Sequence, residues 1–117
     1  MGTFTRPLTI HSADGTLSET VDALIDTGST FSVVPWPMLD RLGFQPTQDL
    51  PFTLADNRTV IRPAAEIPAE VEGRRTTTWC IFGDVDTESI LGVYTLEGTR
   101  LMVDPVDHRL VPLPLRL

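Results

Sequence analysis

A carboxylate in a glycine-containing turn, with an apolar segment on each side, restricts the structure of this chain more than any other part of its sequence. Residues 26–29 read DTGS, residues 21–25 before them read VDALI, and residues 31–35 after them read FSVVP. A charged side chain among apolar neighbours is costly unless it is paired or used for chemistry. Asp26 is therefore either a functional carboxylate or part of an ordinary hairpin turn, because Asp and Gly are also common turn residues.

Two further segments follow this turn in a definite order. Residues 54–60 read LADNRTV, with the polar centre that is typical of a hairpin, and residues 90–92 read ILG before a short segment of helical character. Through these three segments, residues 3–115 resemble the retropepsin-like (retroviral-type, clan AA) aspartic proteases, whose catalytic loop reads Asp-Thr-Gly-Ser or Asp-Thr-Gly-Ala after an apolar strand. The resemblance is closest to the small single-domain bacterial members, in which an LGV–TLE segment and a VDP segment near the C-terminus also recur.

The resemblance implies an all-β fold, namely a closed β-barrel protomer with one or two short helices and a flap hairpin, assembled as a symmetric homodimer. It also implies that Asp26 is the catalytic residue. In the family, the Thr27 hydroxyl bonds across to the opposite loop, and the Ser29 hydroxyl bonds the outer oxygen of the catalytic carboxylate. Gly28 lacks a Cβ, which lets the backbone approach its symmetry mate and a bound water.

The resemblance further implies which residues bind substrate. Retroviral flaps are glycine-rich at the tip, whereas the tip is Asp56-Asn57 here, and Val93 stands where retroviral enzymes have an arginine that braces the dimer. We expect apolar subsites to include Val34 and Ile61. The residues expected to form the flap and the subsites are Ala55, Asp56, Asn57, Ile90, Leu91 and Gly92.

Chain length determines how a second aspartate is supplied. A pepsin-like enzyme carries two Asp-Thr-Gly loops on one much longer chain, whereas this chain has 117 residues and one such loop. The other Asp-Thr pair, Asp86-Thr87, is followed by Glu88 instead of glycine. We therefore expect residues 1–117 to form a single domain, and two copies to form an isologous homodimer with Asp26 beside its symmetry mate.

Two neighbouring carboxylates suit peptide hydrolysis. They cannot both ionise at short range and therefore share one proton, as in pepsin and the retroviral enzyme. The ionised member takes a proton from water while the protonated member polarises the scissile carbonyl. We predict an aspartic endopeptidase that acts on extended polypeptides and needs no cofactor. Two alternatives stay open: a catalytically silent peptide-binding dimer of the same fold, and a monomeric β-barrel in which Asp26 has no catalytic role.

Charge, cysteine content and targeting signals limit the partners. A net charge of −7 argues against nucleic acid, because phosphate binding needs clustered basic side chains. No apolar run is long enough to cross a bilayer, and the N-terminus lacks the pattern of a signal peptide. A single cysteine, Cys80, cannot form an internal disulfide, which predicts a reducing compartment, the cytoplasm. His11 and His108 lack metal-ligand spacing, so we predict no metal site.

Alternation and turn residues predict many short strands, and the ten prolines fit strand ends and edges better than long helices. Asp14-Gly15, Asp56-Asn57 and Gly73-Arg74 mark the predicted hairpin turns. The predicted strands are 3–11, 16–25, 31–34, 51–55, 58–62, 66–72, 75–82, 101–104 and 109–115, and the predicted short helices are 37–42 and 92–97.

Overall fold

The computed structural model describes residues 3–117, and these are mostly β, with about half of them in strands and two short helices. The predicted mostly β fold with short helices is confirmed. The elements in chain order are β1 (Thr5–His11), β2 (Ser18–Ile25), β3 (Ser32–Pro35), α1 (Trp36–Arg41), β4 (Gln48–Thr53), β5 (Thr59–Val71), β6 (Arg74–Gly83), β7 (Ile90–Leu91), α2 (Val93–Gly98), β8 (Leu101–Asp104) and β9 (Arg109–Pro112).

Seven of the strands form one sheet in the order β1-β2-β7-β3-β6-β5-β4, and β5 also pairs with β1. The pairing therefore returns to its starting strand, through Thr9 opposite Glu70 and Ile10 opposite Ala69. Strands β8 and β9 form a separate two-stranded sheet. Within residues 3–117, neither helix is long or apolar enough to cross a membrane.

The first hairpin has a longer loop than the sequence predicts. Strands β1 and β2 pair with His11 opposite Ser18, so residues 12–17 form the connection instead of Asp14-Gly15 alone. The Asp14 carboxylate holds this loop by accepting hydrogen bonds from the Thr16 amide at 3.0 Å and the Ser12 hydroxyl at 2.7 Å. A side chain that bonds nearby backbone competes with strand pairing, and this accounts for the wider loop.

Strand β5 is continuous where the sequence predicts two strands interrupted at Pro63. It pairs with β4 through its first half and with β6 through its second half. Pro63 pairs only with Asp49 of β4, and Pro68 pairs only with Thr77 of β6. Each proline therefore has one edge without a partner strand, where its missing N–H is tolerated.

The apolar core lies between the sheet and the two helices. Cys80 is fully buried in it, and burial raises the pKa of its thiol to about 12. Val34 and Leu91 are also fully buried, because their side chains belong to this core. The largest fully buried apolar side chains are Leu8, Ile10, Leu39, Ile67, Leu91, Val34 and Val71.

Candidate active site

Asp26 lies directly after β2, at the point where that strand runs parallel to β7. Ile25 is opposite Leu91 in this pairing, and the Asp26 amide extends it by donating to the Leu91 carbonyl at 3.1 Å. The chain then turns at once, because the Ser29 amide donates to the Asp26 carbonyl at 3.1 Å. The half-buried Asp26 carboxyl is thus carried by a strand end and a tight turn, and both fix its position.

The turn supplies one hydrogen bond to this carboxyl group. The Gly28 amide donates to Asp26 Oδ1 at 2.9 Å, which orients the side chain. The Ser29 hydroxyl donates instead to the Phe31 carbonyl at 2.8 Å. In the protomer, the predicted bond from Ser29 to the carboxylate is therefore replaced by a bond that closes the turn. Thr27 is exposed.

Gly92 packs against the backbone of the Asp26 loop. A Cβ at Gly92 would lie 2.6 Å from the carbonyl carbon and oxygen of Phe31 and 2.8 Å from the Ser29 oxygen. After it, the Val93 amide donates to the Ser29 carbonyl at 2.9 Å, and the Tyr94 amide donates to the Thr30 carbonyl at 3.0 Å. The start of α2 therefore braces the loop, and the close approach requires a glycine.

A buried row of hydroxyl groups joins the same elements beneath the loop. The Gly92 amide donates to Ser32 Oγ at 3.0 Å, Ser32 Oγ lies 2.6 Å from Thr95 Oγ1, and Thr95 Oγ1 lies 2.8 Å from Thr78 Oγ1. The three side chains are at most 1 % exposed. Buried hydroxyls that bond one another fix the relative positions of β3, β6 and α2. Sequence reasoning assigned no structural role to them.

A cleft of about 900 Å³ extends from the Asp26 loop to α1. The hairpin of β4 and β5, termed the flap hairpin here, forms one wall, and the ends of β3 and β6 form another. Ile61 lines the cleft as predicted, but Ile90 and the core residues Val34 and Leu91 are absent from its lining. The apolar lining residues include Val33, Trp36, Phe44, Phe52, Leu54, Val60, Ile61, Ile81 and Phe82, and the charged ones are Asp40, Arg62 and Asp84.

The hairpin predicted over residues 54–60 is present, with Asp56-Asn57 at its tip. The Leu54 amide donates to the Arg58 carbonyl at 2.8 Å, and Asn57 has a φ of 68°, which Asn tolerates better than most residues. Arg58 lowers the pKa of Asp56, first through its backbone amide and then through its guanidinium. The exposed tip residues Ala55, Asp56 and Asn57 lie beyond the cleft lining, which begins at Leu54.

The carboxylate itself lies at a second, smaller cavity of about 200 Å³. The larger cleft includes Gly28, Ser29 and Thr30 of the same loop but not Asp26. The small cavity brings Asp26 and Thr27 next to the β8–β9 hairpin, whose Val103, Pro105 and His108 also line it. The larger cleft has the volume that an extended ligand needs, and the small cavity is the one that Asp26 lines.

Metal-binding groups do not gather elsewhere in the part of the chain that the structure describes. Among residues 3–117, no three His, Cys, Asp or Glu side chains form a group that could hold a metal ion. His11 is occupied by an ion-pair cluster, because its Nε2 lies 2.8 Å from Glu70 Oε1 and Arg75 Nη2 lies 3.2 Å from its ring.

No family model and no curated protein sequence matches this chain. Solved structures are similar to it, and two foamy virus proteins are among them. The solution structure of simian foamy virus (mac) protease is 18 % identical with a TM-score of 0.56, over 80 % of this chain and 91 % of that one. The crystal structure of prototype foamy virus protease–reverse transcriptase is 16 % identical with a TM-score of 0.52, over 97 % of this chain and 13 % of that one.

These similarities, together with the strand-end Asp-Thr-Gly turn, place the chain in a structural class. It has the fold of the retropepsin-like aspartic proteases. The chain spans a small part of the protease–reverse transcriptase and most of the simian foamy virus protease. Both are viral proteins, so the closer resemblance to bacterial members stays a prediction.

Proposed function

We propose that this protein is an aspartic endopeptidase that hydrolyses peptide bonds of extended polypeptides. The observation that carries the proposal is the position of Asp26 on a retropepsin-like fold. The carboxyl group stands at the end of β2 in a turn braced by Gly92, and the same turn forms one end of a large cleft beneath the flap hairpin. Such a cleft suits a strand-like peptide bound through its main chain.

Two copies of Asp26, one from each protomer, would perform the chemistry. The pair shares one proton, so that the ionised carboxylate takes a proton from water and the protonated one polarises the carbonyl of the bond to be cut. Within each protomer, the Gly28 amide holds Oδ1 and leaves Oδ2 for the water or the partner. Because the amide is neutral, it adds no charge to the site, and its hydrogen bond keeps the carboxyl group oriented through the reaction.

The homodimer is part of the proposal. Each chain has one Asp-Thr-Gly turn, and the carboxylate lies beside the β8–β9 hairpin. The β8–β9 hairpin packs on the core through Leu101 and Leu110, whereas the side chain of Val106 at its turn is 86 % exposed. These features favour a second copy packed against the hairpin and the Asp26 loop. The strand order that returns to β1 through β5 supports the predicted closed barrel in each copy.

The environment that we propose follows the sequence. Peptides or proteins are the substrates, and no cofactor takes part. Neither nucleic acid nor a membrane is a partner, and the net charge of −7 disfavours binding of phosphate groups. The cytoplasm remains the proposed location, since the chain has one cysteine and that cysteine is buried.

A catalytically silent peptide-binding dimer is the second candidate. The Ser29 hydroxyl favours it, because it donates to Phe31 and leaves the carboxylate without the bond that the protease family makes.

The two candidates are separated by cleavage. The protein and its Asp26→Asn variant are incubated with a peptide library from acid to neutral pH, and products are identified by mass spectrometry. Cleavage by the wild type alone supports the protease. Peptide binding by both proteins without products supports the silent dimer and contradicts the protease.

A further inference from the structure

The outer end of the cleft is formed by residues that the sheet topology brings to one edge. Strands β3 and β6 run parallel with Pro35 opposite Gly83, so Trp36 and Asp84, the next residues, leave the sheet side by side. Strand β5 runs antiparallel to β6 with Ala64 opposite Ile81, and two residues further along its Arg62 comes level with Gly83. Trp36, Asp84 and Arg62 all line the cleft.

Trp36 is unusually exposed for its size. The side chain is 46 % accessible in the protomer, and it opens α1, whose Asp40 lies one turn later on the same face. Asp40 also lines the cleft. The cleft lining thus combines the indole with one carboxylate from its own helix and with another, Asp84, from the residue after β6.

Neither of these carboxylates has a cation of its own. Glu19, Glu70, Asp56 and Asp104 each form an ion pair, whereas Asp40 and Asp84 form none among residues 3–117. Asp40 accepts one hydrogen bond, from Gln45 Nε2 at 2.9 Å. The single cation among the cleft-lining residues that the structure describes is Arg62, whose Nη1 donates to the neighbouring Ile61 carbonyl at 3.1 Å.

We propose that this end of the cleft is a subsite for a cationic side chain, Arg or Lys, of the bound peptide, with Trp36 as its platform. The proposal rests on the proposed function for the peptide nature of the ligand. A guanidinium or ammonium group over an aromatic face is attracted by the ring, and this attraction is strongest on the indole of Trp. Asp40 and Asp84 add carboxylate acceptors for its N–H groups, and these charge-assisted bonds favour a cation over a neutral isostere.

The subsite lies away from the catalytic turn by the length of one strand. Strand β3 has four residues between the turn and Trp36, which corresponds to about 13 Å at the rise of a strand. An extended peptide covers that distance in about four residues. The cationic residue is therefore expected several positions from the cleaved bond, and it acts on peptide affinity and KM and leaves kcat unchanged.

The test measures binding apart from cleavage. The probes are peptides with a central apolar pair that carry either arginine or its neutral isostere citrulline, placed in turn three, four or five residues from that pair. Each peptide is titrated into the Asp26→Asn protein, and binding is followed by tryptophan fluorescence and by calorimetry. We expect roughly five-fold tighter binding of the arginine peptide at one position, decreasing as salt is raised. The double variant Asp40→Asn/Asp84→Asn and the variant Trp36→Leu are expected to remove the preference. The matched control Asp22→Asn changes an exposed carboxylate on β2, outside the cleft, and is expected to retain it.

The outcomes test the subsite independently of the protease proposal. Equal affinity for arginine and citrulline peptides at every position overturns the subsite, even if wild-type protein cleaves both. A peptide with glutamate at the same position is measured as well. If it binds more tightly than the arginine peptide, the subsite is also overturned, because Arg62 would then set the preference of the cleft. An arginine preference that the Trp36 and Asp variants abolish supports the subsite, and it does so even if the wild type cuts no peptide and the protease proposal fails.

Discussion

Gly92 has no room for a side chain, because the backbone of the Asp26 loop occupies the space. We predict that Gly92→Ala lowers the free energy of unfolding by about 3 kcal/mol, at the upper end of the cost of overpacking, since the obstructing atoms are main-chain atoms that cannot rotate away. Urea unfolding measures the change. Gly28→Ala is the control, because its Cβ would meet only the Asp26 side chain, at 3.2 Å. Equal stability of Gly92→Ala and wild type would contradict the bracing role.

Asp26→Asn separates chemistry from assembly at a single residue. The amide keeps the size of the side chain and removes both the acid and the base, so we expect cleavage to be abolished. In the proposed dimer it also removes the repulsion between two ionised carboxylates at the twofold axis, so at neutral pH the variant dimer should be as tight as the wild type or tighter. Sedimentation and one peptide assay measure both. Cleavage near the wild-type rate would refute Asp26 as the catalytic group, and an unfolded or monomeric variant would assign the carboxylate a mainly structural role.

The sequence predicts some contacts of these residues and not others. The position of Asp26 after an apolar strand follows from local alternation, and a glycine in the turn follows from backbone requirements. The direction of the Ser29 hydroxyl and the full burial of Leu91 cannot be predicted in this way. The side-chain rotamer and the face of the strand that is buried depend on elements far away in sequence. The hydroxyl row of Ser32, Thr78 and Thr95 depends in the same way on three separate elements meeting.

Among the elements, the β1–β2 loop gives a prediction about pH. The Thr16 amide, the Ser12 hydroxyl and the Thr16 hydroxyl lower the pKa of Asp14 from 3.8 to about 2. A carboxyl group whose pKa is lowered by folding stabilises the protein above its unfolded pKa, and that contribution is lost as pH falls through the folded value. The stabilisation by Asp14 is therefore present above about pH 4 and disappears towards pH 2.

We accordingly expect Asp14→Ala to unfold at lower urea concentration than the wild type at pH 6, and at nearly the same concentration at pH 2. Asp22→Ala, an exposed carboxyl group on β2, is the control and is expected to change the midpoint little at either pH. If Asp14→Ala lowers the urea midpoint by the same amount at pH 6 and at pH 2, the hydrogen bonds of the ionised carboxylate do not stabilise the loop.

At the same scale, strand boundaries are less predictable than strand existence. Local sequence places a break at Pro63, because proline cannot donate to a ladder. The structure continues β5 through it, because β4 ends its pairing with β5 where β6 begins, and each proline keeps one edge without a partner strand. The arrangement of the whole sheet decides which edge of a strand is paired. A single sequence therefore shows where a proline stands but not whether the strand can continue through it.

For the whole molecule, the order of motifs carries most of the information. A strand, an Asp-Thr-Gly turn, a hairpin and an Ile-Leu-Gly segment in that order predict the fold that the foamy virus structures share at 16–18 % identity. The cleft was harder to predict, because its outer end combines Trp36, Arg62 and Asp84 from three elements. From the sequence, Trp36 between two prolines is expected to pack in the core or an interface and not to serve as a ligand platform. Nearly half of its side chain is exposed in the protomer, so it is not a core residue.

The proposed dimer leads to a prediction that concerns two protomers together. Because each chain has one Asp-Thr-Gly turn, only the dimer can assemble the pair of carboxylates, and activity must follow the dimer population by mass action. We expect specific activity towards one peptide to fall as the protein is diluted through the dimer dissociation constant. The constant is measured independently by sedimentation or light scattering in the same buffer.

Two controls make the dilution series decisive. A genetic fusion of two copies through a flexible Gly/Ser linker raises the effective concentration of one copy near the other, so its specific activity should stay constant over the same range. A fusion in which one copy carries Asp26→Asn should be inactive, because it retains the dimer and has one carboxylate at the axis. Constant specific activity of the unlinked protein across a range in which light scattering shows dissociation would contradict the shared site, since a protomer would then be active alone.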